Sequence, residues 1–338
     1  MKNLNTKYRP QRFSEVIGQE SNVQILKQQL ETDNICHAML FTGVSGTGKT
    51  TIARIFANAL NYGSGTPIEI DAASNSGVDN MRSVVATAGE RSLDSTYKVI
   101  IIDEVQSLSS AAWQSLLKCI EEPPKYTVFI FCTTEPQKVP RTIINRCMRF
   151  NFNRLKPEVI NQRLQYICSN EGLIDYEDGC EYISKICNGE MRQGIALLEK
   201  CANYSKEISV ENVLVALGNY SYENFCELTD ALIDADYNSV IKIVNSVYES
   251  GMDFKLFVEQ FIEFLLDINH YLITKNMSCT KLPSNIENKV KSLINLDNAE
   301  KYYMYLINEL LNLKITLKDD INPRTTTEIY LINMCSGE

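Results

Sequence analysis

Five short apolar runs punctuate the first 152 residues: AMLFT (38–42), IEIDA (68–72), VIIID (99–103), VFIFCTT (128–134) and MRFNF (148–152). The third and fourth are continuously apolar, the pattern of strands covered on both faces of a parallel sheet. Helix-period segments separate them, such as TIARIFANAL (51–60) and AAWQSLLKCIEE (111–122). Pro123 and Pro124 stop the second of these, because proline has no amide to continue a helix. Strands alternating with helices predict a three-layer α/β unit built on a five-stranded parallel sheet over residues 1–153.

Beyond residue 153 the strand signal disappears. PEVINQRLQYICSNEG and YEDGCEYISKICNGEMRQGIALLEKC have helical periodicity, with Gly172 and Gly189 as stops. A small helical domain is expected over 154–215 and a second helical domain over 216–338. The latter contains two long apolar faces, FKLFVEQFIEFLLDINHYLI and YYMYLINELLNLKITL. These read either as a monomer core or as seams against neighbours.

Composition narrows the function classes. The 338 residues are 44% hydrophobic, with no apolar run of the roughly 18 residues that suggests a membrane span. The N-terminus, MKNLNTKYRP, lacks the apolar core of a signal peptide, so a cytoplasmic protein is expected. Eleven cysteines are scattered without a C-x-x-C pair, and the histidines are His37 and His270. Zinc ligands come as closely spaced pairs, so no zinc site is expected and the thiols read as reduced, buried side chains. The net charge of −9 is uneven: residues 205–338 hold 11 basic and 20 acidic side chains, and the first 204 hold 22 of each. That balance argues against nucleic-acid binding over the whole surface but leaves room for a local basic lining.

The chemistry is concentrated at strand ends. GVSGTGKT (43–50) fits G-x-x-x-x-G-K-[ST], and it lies between a predicted strand and a predicted helix, as a phosphate loop must. Gly43, Gly46 and Gly48 let the backbone close on phosphate oxygens, and the exposed amides of Val44, Ser45, Thr47 and the helix start attract the anion. Lys49 is expected at the β and γ phosphates, Thr50 at Mg²⁺, and Thr51 beside the nucleotide. VIIIDE (99–104) delivers two carboxylates to the sheet edge where ligands of open α/β sheets bind. Asp103 is expected to orient Mg²⁺ and Glu104 to polarise an attacking water. FCTTEP (131–136) ends the next strand with two hydroxyls, and either Thr133 or Thr134 could reach the γ-phosphate or the water.

KYRPQRFSEVIGQE, HAMLFTGVSGTGKTTIAR, IEIDAAS, IIDEVQSLS, LLKCIEEPP, TTEPQKVP, TIINRC and GEMRQGIALLEK, in that order over residues 7–200, resemble the bacterial DNA polymerase III gamma/tau subunits. These are AAA+ ATPases of the sliding-clamp loader. The resemblance implies a P-loop AAA+ domain (1–153), a helical lid (154–215) and a helical collar for oligomerisation (216–338), although the last third is similar only in length and helicity. It implies adenine contacts at Tyr8, Arg9, Pro10, Val16 and Ile17, a first sensor at Thr134, and a second at Arg192, which touches phosphate. Glu190 and Gln193 depart from the family's usual Ser and Asp around that lid arginine.

Arg146 and Cys147 match the family's serine-arginine-cysteine motif, with Asn145 in place of the serine, which implies that Arg146 completes a neighbouring subunit's ATP site. PRTIINRC holds no carboxylate that could pair with that arginine, and its plainer reading is an arginine at a helix end. Arg82 and Lys118 match positions facing DNA phosphates, with a solvated surface charge as the alternative for either. Asn75 and Gly77 stand where relatives often carry basic residues. NYGSGTP (61–67) spans the gap where the family carries a four-cysteine zinc module, and a Pro-rich extension like tau's is not expected after the collar.

The function implied is an ATP- and Mg²⁺-dependent motor subunit of a clamp loader, placing a sliding clamp on primer-template DNA. Its expected partners are other loader subunits in a ring or spiral of five, the clamp and the DNA, with no membrane. The alternatives are a structural ring subunit that does not hydrolyse nucleotide, and another AAA+ machine such as a branch-migration helicase.

Overall fold

In a computed structural model, residues 3–92, 94–283 and 286–336 are described. Two compact units emerge: residues 1–163 with 187–196, and residues 164–186 with 197–338.

The first unit is built on five strands: β1 (Ala38–Gly43), β2 (Ile68–Asp71), β3 (Lys98–Asp103), β4 (Thr127–Thr133) and β5 (Met148–Phe152). All are parallel, in the order β2-β3-β4-β1-β5. This agrees with the predicted parallel sheet; β4 ends at Thr133, one residue short of the apolar run. Its helices are α1 (Leu4–Lys7), α2 (Glu20–Thr32), α3 (Lys49–Leu60), α4 (Val78–Gly89), α5 (Ser110–Glu121) and α6 (Arg141–Ile144). The starts of α7 (Pro157–Glu171) and, after α8 (Glu177–Ile186), of α9 (Met191–Tyr204) also belong to it.

Strand side chains alternate between two cores, as the two-residue repeat requires. Met39, Phe41, Val99, Ile101, Ile130 and Phe150 bury with Ile52 and Phe56 of α3 and Leu26 of α2. Leu40, Ile100, Ile102, Phe129 and Phe131 bury on the other face with Met81 of α4 and Trp113 and Leu116 of α5. Burial on both faces explains the unbroken apolar runs of β3 and β4. In α5, Ser109 accepts the N-cap bond from the Ala112 amide, and the helix ends at Glu121, just before the two prolines.

The second unit is helical: α8, then α10 (Val210–Leu217), α11 (Tyr222–Ile233), α12 (Tyr237–Glu249), α13 (Phe254–Thr274), α14 (Glu287–Leu293), α15 (Ala299–Thr316) and α16 (Pro323–Ser336), with the remainders of α7 and α9. Phe225, Phe257, Phe261 and Phe264 stack at its centre, with ring centroids 5.4–6.4 Å apart. Among the described residues, no helix is long and apolar enough to cross a membrane.

Gly43, where β1 turns into the following loop, faces Phe152 across the β1–β5 ladder. Its φ is +152°, and a Cβ there would lie 2.2 Å from the Phe152 carbonyl oxygen. Gly43→Ala is therefore expected to cost about 1–3 kcal/mol of stability, read as a lower midpoint in denaturant at unchanged slope.

Candidate functional site

The loop from Gly43 to Lys49 joins the carboxyl end of β1 to α3. Gly43, Gly46 and Gly48 all have positive φ, so each relies on its missing Cβ. Gly46 approaches the start of α9 so closely that a Cβ would lie 3.2 Å from the Glu190 Cβ and 3.3 Å from the Arg192 Cβ. Internal bonds brace the loop. The Thr47 hydroxyl donates to the Val44 carbonyl at 2.9 Å. The buried Gln19 amide donates to the Asn153 carbonyl at 2.9 Å and the Thr47 carbonyl at 3.4 Å.

Lys49 is only 6% exposed. Its ammonium donates to the carbonyls of Gly43 (2.9 Å) and Val44 (2.8 Å), so it is held inside the loop rather than in solvent. Burial pushes its pKa below the ordinary lysine value, and the nearby Asp103 and Glu104 carboxylates oppose that shift. At the next residue, the Thr50 hydroxyl donates to Asp103 Oδ2 at 2.5 Å, while Asp103 Oδ1 accepts from the Glu104 amide at 3.0 Å. A hydroxyl and a carboxylate in direct contact beside a helix N-terminus are hard oxygen donors, and they fit Mg²⁺.

Glu104 sits at φ +52°, in the left-handed region, and opens a short 3₁₀ turn, Val105–Ser107. Its carboxylate Oε2 accepts from the Gln106 side-chain amide and lies 3.5 Å from the Thr134 hydroxyl. Because β4 lies between β1 and β3, the ends of these three strands bring the loop, both acids and both threonines to one sheet edge. Thr133 is fully buried, whereas Thr134 is partly exposed beside Glu104.

A cleft opens beside the loop, and Asp103, Glu104, Thr133 and Thr134 are not among the residues that line it. Tyr8, Arg9, Pro10, Val16 and Ile17 of the N-terminal leader line it, with Gly46, Thr47, Gly48 and Thr51 of the loop and helix, and with Arg192. Gly43, Val44, Ser45, Lys49 and Thr50 lie in the loop and at the foot of α3 without lining the cleft itself. Sequence reasoning missed Arg163, Met191 and Ile195, which line the cleft too. Met191 and Ile195 are four residues apart and flank Arg192 on one helix, a pattern that could have been read as a face turned to the site. Arg163 carried no such signal: its guanidinium donates to the Tyr8 carbonyl at 2.8 Å across 155 residues of chain.

Arg146 lies elsewhere. It precedes β5, whose first residue Met148 pairs with Met39, while the phosphate loop begins at Gly43 opposite Phe152. The four residue steps of β5, roughly 13 Å of strand, therefore separate Arg146 from the edge that holds the loop. The stretch around Arg146 has no acid, but the fold supplies one. Glu121, at the end of α5, lies 2.6 Å from the Arg146 guanidinium, which also donates to the Thr142 carbonyl at 2.7 Å. Both side chains of the ion pair remain about 40% exposed. Burial pushes the adjacent Cys147 thiol up to about 12. Arg82 on α4 and Lys118 on α5 are exposed on two helices that pack on the same face of the sheet, and Arg82 lies 3.1 Å from Asp79.

Comparison with known proteins gives these features a family. A model described as DNA polymerase III, delta subunit, matches residues 64–156, and one described as DNA polymerase III subunits gamma and tau domain III matches residues 208–336. The DNA polymerase III subunit gamma of Buchnera aphidicola from Schizaphis graminum is 32% identical, the match covering 91% of this chain and 90% of that protein. The chain belongs to the DNA polymerase III gamma/tau family. It is also 33% identical to the DNA polymerase III subunit tau of Bacillus subtilis over 97% of its own length, but spans only 62% of that longer relative. Among solved structures, the RuvB Holliday junction branch migration motor of Thermotoga maritima matches with a TM-score of 0.54 at 19% identity, covering 78% of this chain and 92% of that one. That likeness shows the fold, a parallel α/β unit followed by helices.

The Arg163–Tyr8 bond pins the leader to the cleft, and a hydrogen bond to a charged donor contributes about 1.5–3 kcal/mol. Arg163→Ala is expected to accelerate tryptic cleavage after Lys7 and Arg12 while the sheet amides keep their hydrogen-exchange protection. Unchanged cleavage would mean that the leader is held by other contacts.

Proposed function

We propose that the chain is the ATPase motor subunit of a DNA sliding-clamp loader, acting in the cytoplasm. The observation that carries this reading is the position of Arg146 on the opposite sheet edge from an otherwise complete phosphate site. Such an arginine cannot serve its own loop, but it suits the site of an adjacent subunit.

In this reading ATP lies in the cleft, its base against Tyr8, Pro10, Val16 and Ile17 with Arg9 alongside. Its phosphates lie on the Gly43–Thr51 segment and the N-terminus of α3. Lys49 uses two of its three N–H donors on the loop and has a third to offer the β and γ oxygens. Thr50 and Asp103 would hold Mg²⁺, which neutralises charge on the β and γ phosphates. Glu104 orients a water and accepts its proton as the water attacks the γ-phosphorus, while Thr134 aligns the same water or a γ oxygen. Arg192 contacts phosphate from the lid, which we assign to residues 154–215. Arg146 of one copy stabilises charge on the neighbour's transferring phosphoryl group.

Assembly then requires an exchange of partners. Arg146 must leave Glu121 and the Thr142 carbonyl to reach the neighbour's triphosphate, a denser negative charge. The partial exposure of that ion pair keeps it weak enough to give way, since such surface pairs contribute only about 0–1 kcal/mol. Residues 216–338 are assigned as the collar. Leu266 and Ile273 of α13 and Met304, Leu311 and Ile315 of α15 are exposed, which fits seams against other loader subunits in a spiral of five. Arg82 and Lys118 would face the phosphates of primer-template DNA held inside, below a clamp on the ATPase face.

The test is ATP turnover with and without a clamp and primed DNA. Stimulation by both together supports loading; strand separation without a clamp points instead to a helicase. Glu104→Gln is expected to lower turnover by about 10²–10⁴ with nucleotide affinity retained. Arg146→Ala in the assembled complex is expected to lower it by about 10³–10⁵. Mixing Arg146→Ala chains with Lys49→Ala chains should restore part of the activity, because a good site then meets a good arginine. No recovery on mixing, with both chains assembled, would show that the arginine does not act between subunits.

A further inference from the structure

Gln106 has no part in the roles described so far, yet its side chain joins three residues of the site. Its amide nitrogen donates to Glu104 Oε2 and, at 3.1 Å, to the Thr134 hydroxyl. Its amide oxygen accepts from the Thr133 hydroxyl at 2.8 Å. Thr133 is fixed in turn: it is fully buried, and its oxygen accepts from the Glu135 amide at 3.0 Å. The orientation of the Gln106 amide follows from chemistry. An ionised carboxylate only accepts, so the nitrogen must face Glu104 and the oxygen must face the Thr133 hydroxyl.

We propose that Gln106 is a positioning residue for ATP hydrolysis, holding the Glu104 carboxylate by one oxygen against the end of β4 so that the other is presented to the attacking water. This rests on the reading of Glu104 as the group that takes the water's proton. The backbone shows why such a brace is needed. Glu104 is a non-glycine residue at φ +52°, a left-handed conformation that side chains rarely adopt and that its surroundings must hold. A carboxylate on so short a turn would swing about its own torsions unless a neighbour fixed it. The 3₁₀ turn places Gln106 two residues on, and its length lets it span from Glu104, just after β3, to the hydroxyls of Thr133 at the end of β4 and Thr134 just beyond it. Only one carboxylate oxygen is engaged by the amide, which leaves Oε1 to accept from water. Because the same amide nitrogen serves Thr134, the carboxylate and the sensor threonine are set relative to one another by one planar group. A shift of either strand end moves both.

The experiment uses the full chain in the complex it forms with its loader partners, with Mg-ATP as substrate and a fluorescent non-hydrolysable ATP analogue as the binding probe. Gln106→Met keeps the bulk and removes the amide. It is expected to lower kcat roughly 10- to 100-fold, the scale of a misplaced reacting group, while analogue affinity changes less than about threefold. In a Glu104→Gln background the same substitution is expected to have little further effect, because its only route to the chemistry has gone. Thr133→Val leaves Gln106 in place but releases its amide oxygen; it is expected to lower kcat without additivity with Gln106→Met, and it carries the test if Gln106→Met unfolds. Wild-type kcat in both variants, with Glu104→Gln inactive, overturns the role of Gln106 alone. Loss that simply multiplies with Glu104→Gln shows that Gln106 does not act through Glu104. Full activity of Glu104→Gln overturns the reading of Glu104 itself.

Discussion

The parallel pairing of β4 with β1 on one side and β3 on the other is the constraint on which the site depends. Thr42 pairs with Thr133, and Ile102 with Phe131, so the three strands end in register at one edge. The buried Lys49 loop leaves the first, the Asp103–Glu104 pair the second, and the two threonines the third. The contact between the Thr50 hydroxyl and Asp103 closes this arrangement across 53 residues of sequence. The sheet beneath is covered by helices on both faces and cannot shift easily, which keeps even the left-handed Glu104 and the buried Lys49 in place.

The same sheet explains a division of labour between its edges. Groups at the carboxyl ends can act together within one chain, whereas a charge at the amino end of β5 is kept from them by the strand itself. The fold gives that charge, Arg146, a local partner in Glu121 and a helix carbonyl, so Arg146 is already compensated within its own chain. In the proposed loader this makes the arginine's two settings distinct: satisfied at home, or inserted into a neighbour's triphosphate. A two-setting contact at a subunit seam is the kind of element through which hydrolysis can report on assembly. The neutral first 204 residues suit such a surface, where individual charges matter more than an overall field.

The fold class was legible in the chain because buried parallel strands write themselves as apolar runs and their helices as period-3.6 segments between them. The phosphate loop was equally legible, since GVSGTGKT combines a glycine geometry, an anion-binding backbone and a lysine in eight consecutive residues. Asp103 and Glu104 were readable from their place at the end of a strand, and Arg192 and Arg146 only through the family's motifs. These signals are local: each is written within one element and its immediate flank.

What remained to the tertiary structure was everything that depends on two distant elements meeting. Nothing in PRTIINRC reveals Glu121, because the acid arrives from the end of α5. Arg163 reaches the Tyr8 carbonyl from α7, and no spacing rule links the two. Gln106 looked like an ordinary polar residue in IIDEVQSLS until β4 placed Thr133 and Thr134 against it. A sequence determines which groups a strand end or a loop can present, since those follow from periodicity and backbone conformation. Which group then faces which is set by strand order and helix packing, long-range properties that no single stretch of the chain contains.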